Sequence, residues 1–183
     1  MSGELILDTF AQGHHHMGRW RPPPPASSPY ITPEGFEALQ EEQKSLWERR
    51  RDVVKALSAA AAEGDRSENA EYIYRKKELG GIDRRIRYLQ KRTPKLNVVR
   101  TSPSPDKIFF GAWVELVRDD DKTLCYRIVG PDETRAADGW ISLDSPMARA
   151  LLGKAVDDEV ALDLEGKRRT FDITSIRYEQ DSD

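Results

Sequence analysis

Cysteine is nearly absent: Cys125 stands alone among 183 residues, which excludes an internal disulfide and fits a reducing compartment. Long apolar runs are missing as well. No stretch approaches the ~20 consecutive apolar residues needed to cross a bilayer. Residues 1–16 offer no basic start, and Glu4 and Asp8 flank only a short apolar run, so a signal peptide is not expected there. These absences point to the cytoplasm and away from the membrane. Net charge is only −3, with 29 Lys and Arg against 32 Asp and Glu, so no overall field directs the chain to nucleic acid. Glycine and proline are both missing between Phe36 and Ala62. That gap removes the usual helix breakers from a long stretch.

What is present sorts into a charged first half and a β-rich second half. Charged residues make up 33% of the chain and hydrophobic ones 38%, a balance that favours a long solvated element beside a modest core. Residues 1–30 read as an unstructured leader that holds His14–His16 and the Pro22–Pro25 run. Thr32 and Pro33 then provide an N-cap and a first helical position, with Glu34 and Glu37 suiting the positive helix end. Phe36, Leu39, Gln43, Leu46, Arg50, Val53, Leu57 and Ala60 recur at spacings of three and four, which predicts a helix with a heptad seam. Tyr72, Arg75, Leu79, Ile82, Ile86 and Leu89 repeat that rhythm. Two such arms joined by a short turn pair antiparallel, so residues 31–93 are expected to form a coiled-coil hairpin. Gly80 and Gly81 weaken the second arm and suggest a kink or a close helix contact.

Residues 94–107 have the polar, proline-containing composition of a linker. From residue 108 to 183 the period shortens. Runs at 112–117, 124–129, 139–143, 159–164 and 169–177 read as strands, and Ser145-Pro146 opens one short helix that Gly153 closes. The fold class is therefore α+β: a helical hairpin followed by a compact β-rich domain with one short helix. That second domain shows no metal-ligand cluster and no nucleophile motif.

Chemistry concentrates in the turn between the arms, Gly64-Asp65-Arg66-Ser67-Glu68-Asn69-Ala70-Glu71. Asp65 and Glu68 have a plain structural explanation as a capping box that starts the second helix. They also have a functional one. A rod of about 45 Å that carries acids at its end buries little, which makes sense if the tip must reach somewhere narrow. Hard carboxylate oxygens there suit Mg²⁺, which is commonly held by one or two carboxylates plus waters and phosphates. Two carboxylates make an incomplete site, one that a partner protein would complete. The second arm adds a local cationic surplus: residues 66–92 hold 9 Lys and Arg against 4 Asp and Glu.

The turn, followed by Tyr72, Tyr74, Lys76-Lys77, Ile82-Asp83-Arg84-Arg85 and Arg87-Tyr88-Leu89, resembles the bacterial Gre transcript cleavage factors, and its Asp-Arg-Ser-Glu-Asn form is similar to the GreB type. Tyr30 to Gly35, Phe110-Gly111-Ala112 and Ser145 to Lys154 extend the resemblance over residues 30–178. It implies an FKBP-like second domain docked at the rim of the RNA polymerase secondary channel. It also implies a hairpin reaching the active site, where Asp65 and Glu68 help hold a second Mg²⁺ that the free protein does not bind tightly. The activity implied is stimulation of the polymerase's own cleavage of backtracked RNA, by a monomeric cofactor protein that is not itself an enzyme. Arg66, Ser67, Asn69 and Tyr72 are the expected contacts to RNA or polymerase. Lys76, Lys77, Arg84, Arg85 and Arg87 are the expected basic face toward the extruded RNA 3′ end, although the three arginines cannot share one helix face. Other readings stay open: a channel regulator that does not stimulate cleavage, or an FKBP-like prolyl isomerase or chaperone. The last needs an aromatic pocket, for which Phe109, Phe110, Trp113 and Trp140 are the available residues, unless they fill the core.

Overall fold

The architecture is that of a computed structural model describing residues 27–62, 69–100, 106–164 and 166–178. Two helices dominate the first half: α1 over Pro33–Ala62 and α2 over Ala70–Arg92. Thr32 caps α1 as its sequence predicts, its hydroxyl accepting from the Gly35 N–H at 3.0 Å. Every residue of both predicted seams is buried or half-buried. Leu39 and Leu89 pack with Ile31 at the base of the hairpin, and Val53 packs with Ile82 and Ile86 along its middle. Ion pairs between the arms flank this seam: Arg49 with Glu78 at 2.6 Å, Arg50 with Asp83 at 2.7 Å and Arg85 with Glu42 at 2.7 Å.

Gly80 and Gly81 do not mark a close helix contact. α2 runs unbroken through both, and a Cβ at either position would meet nothing within 4 Å. No close helix contact therefore requires a glycine there.

The hairpin brings its two ends together, and they pair. β1, Tyr30–Ile31, and β2, Asn97–Val98, form a two-stranded parallel ladder in register Tyr30↔Asn97 and Ile31↔Val98. Strand β2 falls in the stretch read as a linker, and Tyr30 in the stretch read as leader. Two residues each are too few to show a strand period.

The second half is a five-stranded sheet in the order β5-β4-β3-β7-β6, built from β3 (Trp113–Arg118), β4 (Thr123–Val129), β5 (Trp140–Ser142), β6 (Glu159–Leu164) and β7 (Lys167–Arg177). All neighbours are antiparallel except β4 and β5. Alternation sends Val114, Leu116, Phe171 and Ile173 to one face, where they pack with Ala148 and Leu151 of the short helix α3, Pro146–Leu151. Ser145 caps α3, accepting from the Ala148 N–H at 3.1 Å.

Candidate functional site

The hairpin tip and the two sides of its rod carry the residues singled out by sequence. Asp65, Arg66, Ser67 and Glu68 lie outside the described residues. What the structure defines is the base of the segment that bears them. Asn69 is the N-cap of α2, its Oδ1 accepting from the Tyr72 N–H at 3.1 Å. Its Nδ2 donates to the Ala60 carbonyl at 3.0 Å, two residues before the end of α1. One side chain thus satisfies an orphan donor at the start of one helix and an acceptor near the end of the other. The capping role offered to Asp65 belongs to Asn69, because α2 starts at Ala70 and not at the acids.

Behind this clasp the two sides of the rod differ. On one side the charges are paired. Arg75 bonds Glu71 at 2.7 Å and Glu78 at 3.1 Å, and Glu78 in turn accepts from Arg49. The Arg49 guanidinium, and after it Arg75, hold the Glu78 carboxyl below the usual glutamate range. Glu71 and then Glu78 raise Arg75. Arg85 forks onto both oxygens of Glu42, each at 2.7 Å. That pairing removes Arg85 from the set of freely projecting cations and makes it a brace between the arms. Lys76, Lys77, Arg84 and Arg87 are exposed, whereas Tyr72 is half-buried in the seam. Ile73 and Tyr74, beside the tip, are 53% and 58% exposed.

The base of the rod is latched to the second domain by two adjacent acids that sequence reasoning did not single out. Glu133 is buried; its carboxylate accepts from the Thr32 N–H at 3.0 Å, the Thr32 hydroxyl at 2.5 Å and the Gly130 N–H at 2.7 Å. A Cβ at Gly35 would collide with that carboxylate, so α1 approaches because residue 35 is glycine. Asp132 accepts from the Tyr88 hydroxyl and from Arg92 Nε, the latter at 2.7 Å. Burial, and then Asp132, raise the Tyr88 phenol above its usual value. Arg92 also donates to the Ser28 carbonyl at 2.5 Å, and the Ser28 N–H donates to Asp144 at 2.8 Å. Asp132 and Glu133 lie 40 and 101 residues from Arg92 and Thr32 in sequence, so no local spacing signals this role.

Trp113 and Trp140 neither fill the core nor keep free faces. Guanidinium groups alternate with them across the sheet: Arg177 is 5.3 Å from the Trp113 ring, Arg127 is 5.8 Å from Trp113 and 4.7 Å from Trp140, and Arg135 is 4.3 Å from Trp140. Those cations occupy the surfaces an apolar pocket would need. Phe109 is 43% exposed. Among the described residues no group of three His, Cys, Asp or Glu could hold a metal ion, and no helix is long and apolar enough to cross a membrane.

Comparison with known proteins identifies the family. Residues 29–98 match the family description "Transcription elongation factor, N-terminal", and residues 102–178 match "Transcription elongation factor, GreA/GreB, C-term". The chain belongs to the GreA/GreB family, as a GreB-type transcription elongation factor. It is 58% identical over 165 residues to a transcription elongation factor GreB of Xanthomonas axonopodis pv. citri, covering 88% of this chain and 98% of that one. A Yersinia pestis GreB is 52% identical over 155 residues, 84% and 91% of the two chains. Among solved structures, GreA factor homolog 1 of Thermus thermophilus is 27% identical, with a TM-score of 0.38 over 81% of this chain and 97% of that chain. For this GreB-type chain the family match covers both the hairpin and the sheet domain.

Proposed function

We propose that this GreB-type factor stimulates cleavage of backtracked RNA by RNA polymerase. It would insert the hairpin into the secondary channel while the sheet domain stays at the channel rim. The observation that carries the reading is the shape of the rod and its closure. α1 has 30 residues, about 45 Å of helix, and Asn69 ties its far end to the start of α2. Asp65 and Glu68 belong to the stretch of chain that joins the far ends of α1 and α2, away from the latched base.

The two carboxylates are the right donors for a hard divalent cation and too few to hold one alone. Asp65 and Glu68 would hold Mg²⁺ together with groups of the polymerase. When bound, the ion supplies stabilisation of the attacking and leaving oxygens of phosphodiester hydrolysis. The chain's own tasks are to deliver the acids, to keep them oriented through the Asn69 clasp, and to guide the RNA along its exposed cations Lys76, Lys77, Arg84 and Arg87. Arg66 and Ser67 stand next to the acids in sequence and would meet the RNA or the polymerase loops around it. The protein acts as a cytoplasmic monomer and catalyses nothing by itself.

The test is a purified backtracked complex with Mg²⁺ and either wild-type factor or the double variant Asp65→Asn, Glu68→Gln. Wild type should accelerate release of the 3′ RNA fragment, and the double variant should lose that stimulation while still competing for polymerase. A channel regulator without cleavage activity would bind equally well and release nothing in either form.

A further inference from the structure

The side of the rod that bears Lys76 and Arg87 carries a feature that the reading above does not use. Arg50 and Asp83, 2.7 Å apart, mark this side of the seam. Trp47 lies three residues before Arg50 and Val54 four after it, so both share its helix face. On the facing helix Lys76 and Arg87 lie seven residues before and four after Asp83, on the same side. Trp47 is 40% exposed and Val54 39%, two large apolar side chains open to solvent halfway along the rod. The Arg50 guanidinium, pinned by Asp83, lies 5.7 Å from the Trp47 ring centroid and fixes the indole. Arg51, Lys76 and Arg87 are exposed and have no acidic partner among the described residues. The opposite side, by contrast, matches its acids to its bases. An aromatic plate flanked by unpaired cations is the surface that single-stranded nucleic acid recognises, through base stacking and phosphate neutralisation.

We infer that Trp47 is a base-stacking platform for single-stranded RNA, with Arg51, Lys76 and Arg87 as its phosphate contacts. The inference rests on the proposed cleavage function for the source of the RNA, the extruded 3′ segment, and on charge complementarity for its chemistry. Trp47 stands thirteen residues before Ala60, roughly 20 Å short of the tip. Only RNA extruded well past the active site reaches it. Trp47 therefore holds long extruded segments in line and leaves single-nucleotide backtracks untouched.

The experiment compares wild type, Trp47→Ala and Trp47→Phe on polymerase complexes backtracked by one nucleotide and on deeply backtracked ones. The same three proteins are titrated as full chains with single-stranded RNA containing 2-aminopurine. The alanine variant should lose about five- to tenfold in cleavage on deep complexes only, with polymerase competition unchanged, and phenylalanine should restore most of it. Wild type and the phenylalanine variant should quench the 2-aminopurine, and the alanine variant should not. Equal loss on both complexes together with weaker polymerase binding would overturn the inference and assign Trp47 to a protein wall. Equal quenching by all three proteins, or by none, would also overturn it. Because the titration needs no polymerase, it decides the RNA contact even where wild type proves not to stimulate cleavage.

Discussion

Asn69 shows how much one side chain contributes when it joins two helices. Its Oδ1 caps α2 and its Nδ2 reaches the Ala60 carbonyl, so substitution acts at both ends of the turn. Asn69→Ala should cost about 1 kcal/mol or more in stability, the usual worth of a lost N-cap, and should lower stimulated cleavage several-fold without weakening polymerase binding. Asn69→Asp keeps the acceptor but loses the donor to Ala60, so it should fall between the two. Thermal melts and cleavage rates on one backtracked complex check the order; an alanine variant as active and as stable as wild type would contradict it. At this scale the sequence was only partly legible. Asp65, Ser67 and Asn69 are all competent caps, and choosing among them requires the position of Ala60, nine residues away and on the other arm. The Arg85 ion pair was illegible for a related reason: its partner Glu42 is 43 residues distant, beyond any spacing rule within one helix.

The helices and the main strands were readable because their periods are long and unbroken. The Phe36–Ala60 and Tyr72–Leu89 seams match the sheltered positions of α1 and α2. Strand alternation located β3, β4, β6 and β7 to within a few residues. The paired strands β1 and β2 escaped because their pairing follows from the hairpin's closure and not from their own pattern. Gly80 and Gly81 give a prediction at this scale. Both sit in helical backbone with open space where a Cβ would lie, so Gly80→Ala and Gly81→Ala should each stabilise by about 0.5 to 1 kcal/mol. Urea titrations check the sign; destabilisation by either would mean that α2 needs the glycine for bending or contact.

Between domains the molecule relies on a small polar latch. Glu133→Ala leaves the Thr32 and Gly130 N–H groups without their buried acceptor, a loss of about 1 to 3 kcal/mol for each unsatisfied group. The sheet domain should still fold around Phe171 and Leu116, while small-angle scattering should show a wider spread of rod orientations. Scattering indistinguishable from wild type would show that Asp132, with Tyr88 and Arg92, suffices to hold the rod. The central claim is that a latched, rigid rod delivers two carboxylates to a metal site that another protein completes. Its most direct test is the rate of RNA release from a purified backtracked complex with Mg²⁺, measured with wild type and with the Asp65→Asn, Glu68→Gln variant at saturating factor. The account predicts strong stimulation by wild type and none by the variant at equal polymerase occupancy. Undiminished release by the double variant would contradict it.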